Sequence, residues 1–190
     1  MIRTFIAFDL EDQNTINNIK ELTDRLKKNQ DRLKIVKPEN LHITVKFLGD
    51  IKESKAPKIF EILNSEINEK VLGNKVYNYT LKGVGQFRSY SILWIGFEGD
   101  IDFLQEIKET LEVKLNERLN IKKDKRRKFD PHLTIGRLRK NRINYKNFDT
   151  FKNIIKDNQN TEFGKFKISE IKLKKSVLTP QGPIYSNLKY

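Results

Sequence analysis

Two short stretches carry the residue types that proton-transfer chemistry needs. Leu41-His42-Ile43-Thr44-Val45 and Pro131-His132-Leu133-Thr134-Ile135 lie 90 positions apart and hold both histidines of a 190-residue chain. In each, histidine is followed by an apolar residue, a threonine and another apolar residue. That alternation reads as a buried strand with His and Thr on one face. An imidazole titrates at about 6.5, so around neutral pH one copy can be neutral while the other is charged. Such a pair can take a proton from an attacking oxygen and give one to a departing oxygen, which an in-line displacement at phosphorus requires. The hydroxyls of Thr44 and Thr134 can hydrogen-bond nonbridging phosphate oxygens. Arg137, five residues after His132, can add charge-assisted donors. In a regular strand Arg137 would face away from His132 and read as a surface residue, so a role at the site needs a bend or strand end near Gly136 to turn it inward.

Each residue has a plainer role to compete with. A lone histidine on an apolar strand is more often a satisfied core residue, but duplication with the same threonine offset favours a site. Either threonine alone could be an ordinary strand former. The run Lys122-Lys123-Asp124-Lys125-Arg126-Arg127-Lys128 precedes the second motif. Its Lys123, Lys125, Arg126 and Arg127 could grip RNA phosphates, although such runs are usually solvated loops. Phe8, Phe47, Phe87 and Trp94 could stack a base, but aromatics in apolar strands are usually core. Lys165, Lys167, Lys172 and Lys174 alternate as a solvated strand face would.

The elements that must position these residues follow from periodicity. Residues 2–8 read as a strand, and Asp9 with Asp12 announces a helix whose apolar stripe is Ile16, Ile19, Leu22 and Leu26. Residues 33–36 form a short strand, 37–40 a turn and 41–48 the first motif strand. Ser54 can cap a helix carrying Ile59, Ile62, Leu63 and Ile67, with Pro57 in its first turn. Strands at 76–84 and 91–97 make a hairpin through residues 85–90. A helix over 101–119 and a basic loop then lead to the second motif strand. A helix over 145–156, strands at 162–166 and 168–178, a Pro-Gln-Gly-Pro turn and a strand at 184–188 complete an α+β chain. A β-α-β order occurs twice, predicting two similar lobes.

Composition bounds the partners. The chain carries 38 Lys and Arg against 25 Asp and Glu, a formal net charge of +13, which attracts polyanions such as nucleic acid. Zero cysteines and two histidines leave no thiolate site and too few ligands for an ordinary zinc centre, so neither metal nor cofactor is expected. No run approaches the roughly 18 apolar residues of a membrane span, and the N-terminus has no secretory pattern. A cytoplasmic monomer with no membrane contact is the expectation.

Two His-x-Thr-x motifs at this separation resemble the signature of the 2H phosphoesterase superfamily. Pro38-Glu39-Asn40-Leu41 and Lys46-Phe47-Leu48-Gly49 around the first motif, with Arg127-Lys128-Phe129-Asp130-Pro131 before the second, look like its LigT-type branch, the RNA 2',3'-cyclic phosphodiesterases. Arg3-Thr4-Phe5-Ile6-Ala7-Phe8, Gly83-Val84-Gly85-Gln86-Phe87, Leu93-Trp94-Ile95-Gly96 and the closing stretch from Lys175 to Tyr185 extend the likeness to nearly the whole chain. Ile35 departs from it where many relatives carry Trp, and the turn from Phe87 to Ser91 is shorter than the usual Pro-containing one. The resemblance implies one bilobal domain over residues 1–190, with mainly antiparallel sheets facing a central cleft and helices outside. It implies metal-independent hydrolysis of 2',3'-cyclic phosphate RNA ends to 2'-phosphates, tRNA fragments among the substrates, with reverse 2'-5' ligation. It makes His42 the acid and His132 the base. Arg137 and the 122–128 run add positive charge near His132, which would lower its pKa. Competing functions are another 2H activity, on 2'-5' oligonucleotides or cyclic nucleotide-like metabolites, and a non-catalytic RNA-binding module. Turnover separates the last from the rest.

Overall fold

The alternating apolar segments fold into nine strands, among the described residues, that join one antiparallel sheet. The computed structural model describes residues 1–73, 75–125, 128–180 and 182–190. The strands are β1 (Ile2–Asp9), β2 (Lys34–Ile35), β3 (His42–Ile51), β4 (Tyr77–Phe87), β5 (Ile92–Glu98), β6 (Leu133–Arg137), β7 (Glu162–Ile168), β8 (Lys172–Thr179) and β9 (Gly182–Asn187). Their order across the sheet is β7-β4-β5-β6-β3-β1-β8-β9, with β2 paired to the far end of β6. The two halves of the chain meet where the motif strands meet, at the register pair Ile43 and Leu133. Both side chains are buried in the apolar core beneath the sheet.

The helices are α1 (Gln13–Asn29), α2 (Ala56–Ile62), α3 (Ile101–Leu119) and α4 (Phe148–Asp157), with Leu63–Leu72 continuing α2 as a π-helix. Asp12 caps α1 by accepting from the Thr15 backbone N–H at 2.8 Å, one of the orphan donors that a helix start must satisfy. The π-helix ends at Gly73, whose φ of +60° suits a residue without Cβ.

The connections cross between the halves. α1 follows β1 but packs on the other half: Asn18 donates to the Phe163 carbonyl at 2.8 Å, and Gln30 exchanges two bonds with the Asn144 backbone at 2.8 and 2.9 Å. In return α3, which follows β5, lies behind β3, where its Glu112 meets Lys46 at 2.8 Å. Each half therefore lends a helix to its partner, and the motif strands are held from both sides.

Several boundaries move from the sequence expectation. β4 runs on to Phe87, and β8 begins only at Lys172, after a break at Ser169, Glu170 and Ile171. Ser54 caps nothing; it lies in a 3₁₀ turn, Glu53–Lys55, that leads into α2. Lys165 and Lys167 are solvated as expected, but Lys172 is partly buried and donates to Glu11 at 2.7 Å, and Lys174 is buried. It is 4 % exposed, held by both Asp9 oxygens at 2.7 and 2.8 Å and by Asn187 at 2.8 Å. Pairing makes burial of the charge tolerable, and period-two alternation could not foresee a partner 165 residues away.

Candidate active site

Antiparallel pairing of the motif strands at Ile43 and Leu133 sets the chemistry-bearing residues side by side. One step either way, His42 lies across from Thr134 and Thr44 across from His132. All four then share the face opposite the core, related by an approximate twofold between the strands. Strand spacing and rise put the two histidine Cα atoms on the order of 8 Å apart, diagonally across the pair.

Each motif strand breaks register one residue after its threonine. Against β1, Lys46 pairs with Ile6 and Thr44 with Ala7, leaving Val45 as the extra residue. Against β5, Gly136 pairs with Leu93 and Thr134 with Trp94, leaving Ile135 extra. A bulge of one residue reverses the alternation beyond it. Arg137, paired with Ile92, is thereby turned onto the histidine face, which is the bend its position demands. Phe47, five residues after His42 as Arg137 is after His132, is turned the same way. Its ring lies 6.3 Å from Phe5 and is 71 % exposed. A regular strand would have buried it.

The imidazoles are oriented alike. Nδ1 of His42 lies 2.6 Å from the Asn40 carbonyl oxygen and Nδ1 of His132 lies 2.8 Å from that of Asp130. A carbonyl only accepts, so each Nδ1 carries the hydrogen and each Nε2 is left as the atom that gains or gives a proton. Aromatic rings steady both. Phe5 and Tyr185 stand 4.9 and 5.3 Å from His42, and Phe87 and Trp94 stand 5.2 and 6.4 Å from His132. The Trp94 ring lies on Gly85, where a Cβ would come within 2.1 Å of it. Its buried Nε1 has no hydrogen-bond partner among the described residues.

Burial pushes the His42 pKa down, the Asn40 carbonyl opposes, and Lys174 and Arg137 push down again against Asp9. Arg137, though in the second motif strand, thus acts on the first histidine. It also faces Tyr185, whose phenol burial raises while Arg137 and Arg3 oppose. In the free protein His42 should titrate below 6.5, as read by NMR of the ring nitrogens. A midpoint at or above the ordinary value would overturn burial as the dominant influence. By linkage, the stability tied to neutral His42 is complete above the unfolded-state value and is lost as pH falls through the folded one.

The basic run is anchored by its one acid. Asp124 accepts from Lys46 at 2.7 Å and from Lys108 at 2.6 Å. Glu112 accepts from the same two lysines at 2.8 and 3.1 Å, and from the Asp124 backbone N–H at 3.0 Å. Lys123 and Lys125 are exposed beside this network, whereas Arg126 and Arg127 lie outside the described residues. Of the candidate aromatics, Phe8 is core, while Phe87 and Trp94 flank His132. The residues sequence reasoning passed over are Phe5, Tyr185 and the carbonyls of Asn40 and Asp130. The last two had a signal, being two residues before each histidine.

Residues 4–187 match the family model of the AKAP7 2'5' RNA ligase-like domain. The chain is 35% identical over 193 residues, 99% of each chain, to the RNA 2',3'-cyclic phosphodiesterase of Methanocaldococcus jannaschii. Among solved structures it resembles a Thermus thermophilus protein with a TM-score of 0.72 at 23% identity, covering 99% of this chain and 96% of that one. It resembles Escherichia coli LigT in its apo form with a TM-score of 0.65 at 19% identity, covering 99% and 95%. At those identities the structural likeness speaks for the fold alone.

Proposed function

The chain belongs to the AKAP7 2'5' RNA ligase-like family of 2H phosphoesterases, and from that premise we propose that it is an RNA 2',3'-cyclic phosphodiesterase. The observation that carries the proposal is the pair of histidines on antiparallel neighbouring strands, each with Nδ1 tied to a carbonyl and Nε2 left for proton transfer. A cyclic phosphate between them meets an acid on one side and a base on the other. His42 protonates the departing 3' oxygen and His132 activates water, leaving a 2'-phosphate. The arriving phosphate anion favours the charged form of His42 that burial disfavours in the free protein. Thr44, Thr134 and Arg137 stabilise the nonbridging oxygens. No step calls on a metal. With a 5' hydroxyl in place of water as the nucleophile, the same groups can join it to a cyclic end through a 2'-5' bond, the 3' oxygen again departing with the proton from His42. RNA ends, those of tRNA fragments included, are the partner; exposed Phe47 offers a base-stacking face, and Lys123, Lys125, Arg126 and Arg127 attract the strand. The protein acts as one bilobal, cytoplasmic monomer.

The test is incubation with EDTA and a short RNA ending in a 2',3'-cyclic phosphate, followed by location of the product phosphate. A 2'-phosphate supports the proposal; a 3'-phosphate, or no opening, sinks it. Thr44→Val, Thr134→Val and Arg137→Ala should each slow the reaction by about 10²-fold without abolishing it, the cost of one oxyanion donor. Unchanged kinetics in Arg137→Ala would return that residue to the surface.

A further inference from the structure

Beyond the phosphate site, the β4–β5 hairpin leads to a groove that the proposed chemistry does not use. It has a volume of about 370 Å³, and its walls include Tyr90, Ile143, Tyr145 and Phe148 with Lys140 and Lys152. The rings form a surface cluster: Phe148 meets Tyr90 edge-on at 5.4 Å and Tyr145 at 6.1 Å. Tyr145 is 75 % exposed, so it offers an open ring face, and the Lys152 ammonium lies 5.3 Å from the Phe148 ring centre.

Three further observations say what would fill it. Residues 131–148, on one side of the groove, contain the five cations Arg137, Arg139, Lys140, Arg142 and Lys146 and no acid, whereas Lys152 on its other side is paired with Asp149 at 2.7 Å. Aromatic faces among lysines suit single-stranded nucleic acid, whose bases stack while its phosphates are neutralised. The turn that forms one wall is also strained. Arg88, Ser89 and Tyr90 have φ of +53°, +54° and +66°, left-handed conformations that cost non-glycine residues free energy and gather at functional sites. The turn is held by a Gln86 side chain accepting from the Tyr90 N–H at 2.8 Å and by the Leu138 N–H donating to the Ser91 carbonyl at 3.1 Å. Finally, the groove lies close to the active site along the chain. Phe87, whose ring is edge-on to His132 at 5.2 Å, is only three residues from Tyr90, a span of at most about 11 Å.

From this we infer that the groove is a second RNA subsite, in which an unpaired base of the strand whose end lies between His42 and His132 stacks on Tyr145 and Phe148 while Lys140 faces the backbone phosphates. The inference rests on the phosphodiesterase reading and deepens it: the substrate is a single strand long enough to reach both places. A dinucleotide fills only the first.

The test is equilibrium binding by fluorescence anisotropy of RNAs of two and eight nucleotides carrying a terminal 2'-phosphate, with wild type, Tyr145→Ala, Tyr145→Phe and Lys140→Gln. Tyr145→Ala should weaken the eight-nucleotide RNA by about tenfold, within the range that loss of one base stack produces, and Tyr145→Phe should restore it. Lys140→Gln should weaken the same RNA and flatten its salt dependence. Dinucleotide binding is the reference and should stay within about twofold of wild type. Equal loss at both lengths, or no loss at eight nucleotides, overturns the inference; the second result would leave the groove to a protein segment or to none. Binding needs no turnover, so a wild-type protein that fails to open cyclic phosphates would sink the catalytic reading while the length contrast still decides the groove.

Discussion

His42→Ala and His132→Ala will each lower the rate of cyclic phosphate opening by roughly 10²- to 10⁴-fold, the contribution of one positioned proton-transfer group. Folding and RNA affinity should be largely kept, because both rings lie on the face of the sheet opposite its apolar core and are only partly buried. Near-normal turnover in either variant would end the site assignment. The roles separate with a substrate whose 3' leaving oxygen is replaced by sulfur, which departs without a proton. It should rescue His42→Ala, which lacks only the acid, and leave His132→Ala slow; the opposite pattern would reverse the roles. The pH profile adds a signed expectation. Because the pKa of free His42 is lowered from 6.5, the alkaline limb of kcat/KM, which reports the free enzyme, should fall on the acid side of an ordinary histidine. In kcat, which reports the bound complex, that limb should move up, since the phosphate anion favours the imidazolium. A limb at the same pH in both would deny that His42 is the acid.

Lys46→Met should destabilise the protein by about 3 kcal/mol, the low end of the cost of breaking a buried ion pair by removing one partner. Lys46 is 2 % exposed and joins β3, four residues after His42, to Glu112 of α3 and to Asp124. Without it, two carboxylates share the single Lys108 ammonium. Urea unfolding at neutral pH reads the loss, and an unchanged midpoint would show that the network adds no stability. The loss should also shrink in acid. Burial pushes the Asp124 carboxyl up, but hydrogen bonds from Lys108 and Lys46 outweigh it and hold its pKa below 3.8. Its stabilising effect is therefore complete above the unfolded-state value and disappears as pH falls through the folded one.

Much of this protein was legible in the order of its residues. That each histidine shares a face with its threonine was legible, because a two-residue repeat on a strand places side chains on one face whatever the strand packs against. Helices declared themselves where an apolar stripe and a cap agreed, as at Asp12 and along Ile16, Ile19, Leu22 and Leu26. The need for a bend near Gly136 was also legible, since parity alone puts Arg137 on the wrong face. Tertiary structure decided what parity cannot. The bulges at Val45 and Ile135 arise from pairing with β1 and β5, and they, rather than any local signal, bring Phe47 and Arg137 to the site and send Lys46 to the helices. The same holds for charge. Lys174 is read from sequence as a solvated lysine and Arg137 as a neighbour of His132, yet both act on His42. Electrostatic influence follows distance in space, and the register of β1, β3, β6 and β8 determines which ionic groups are close.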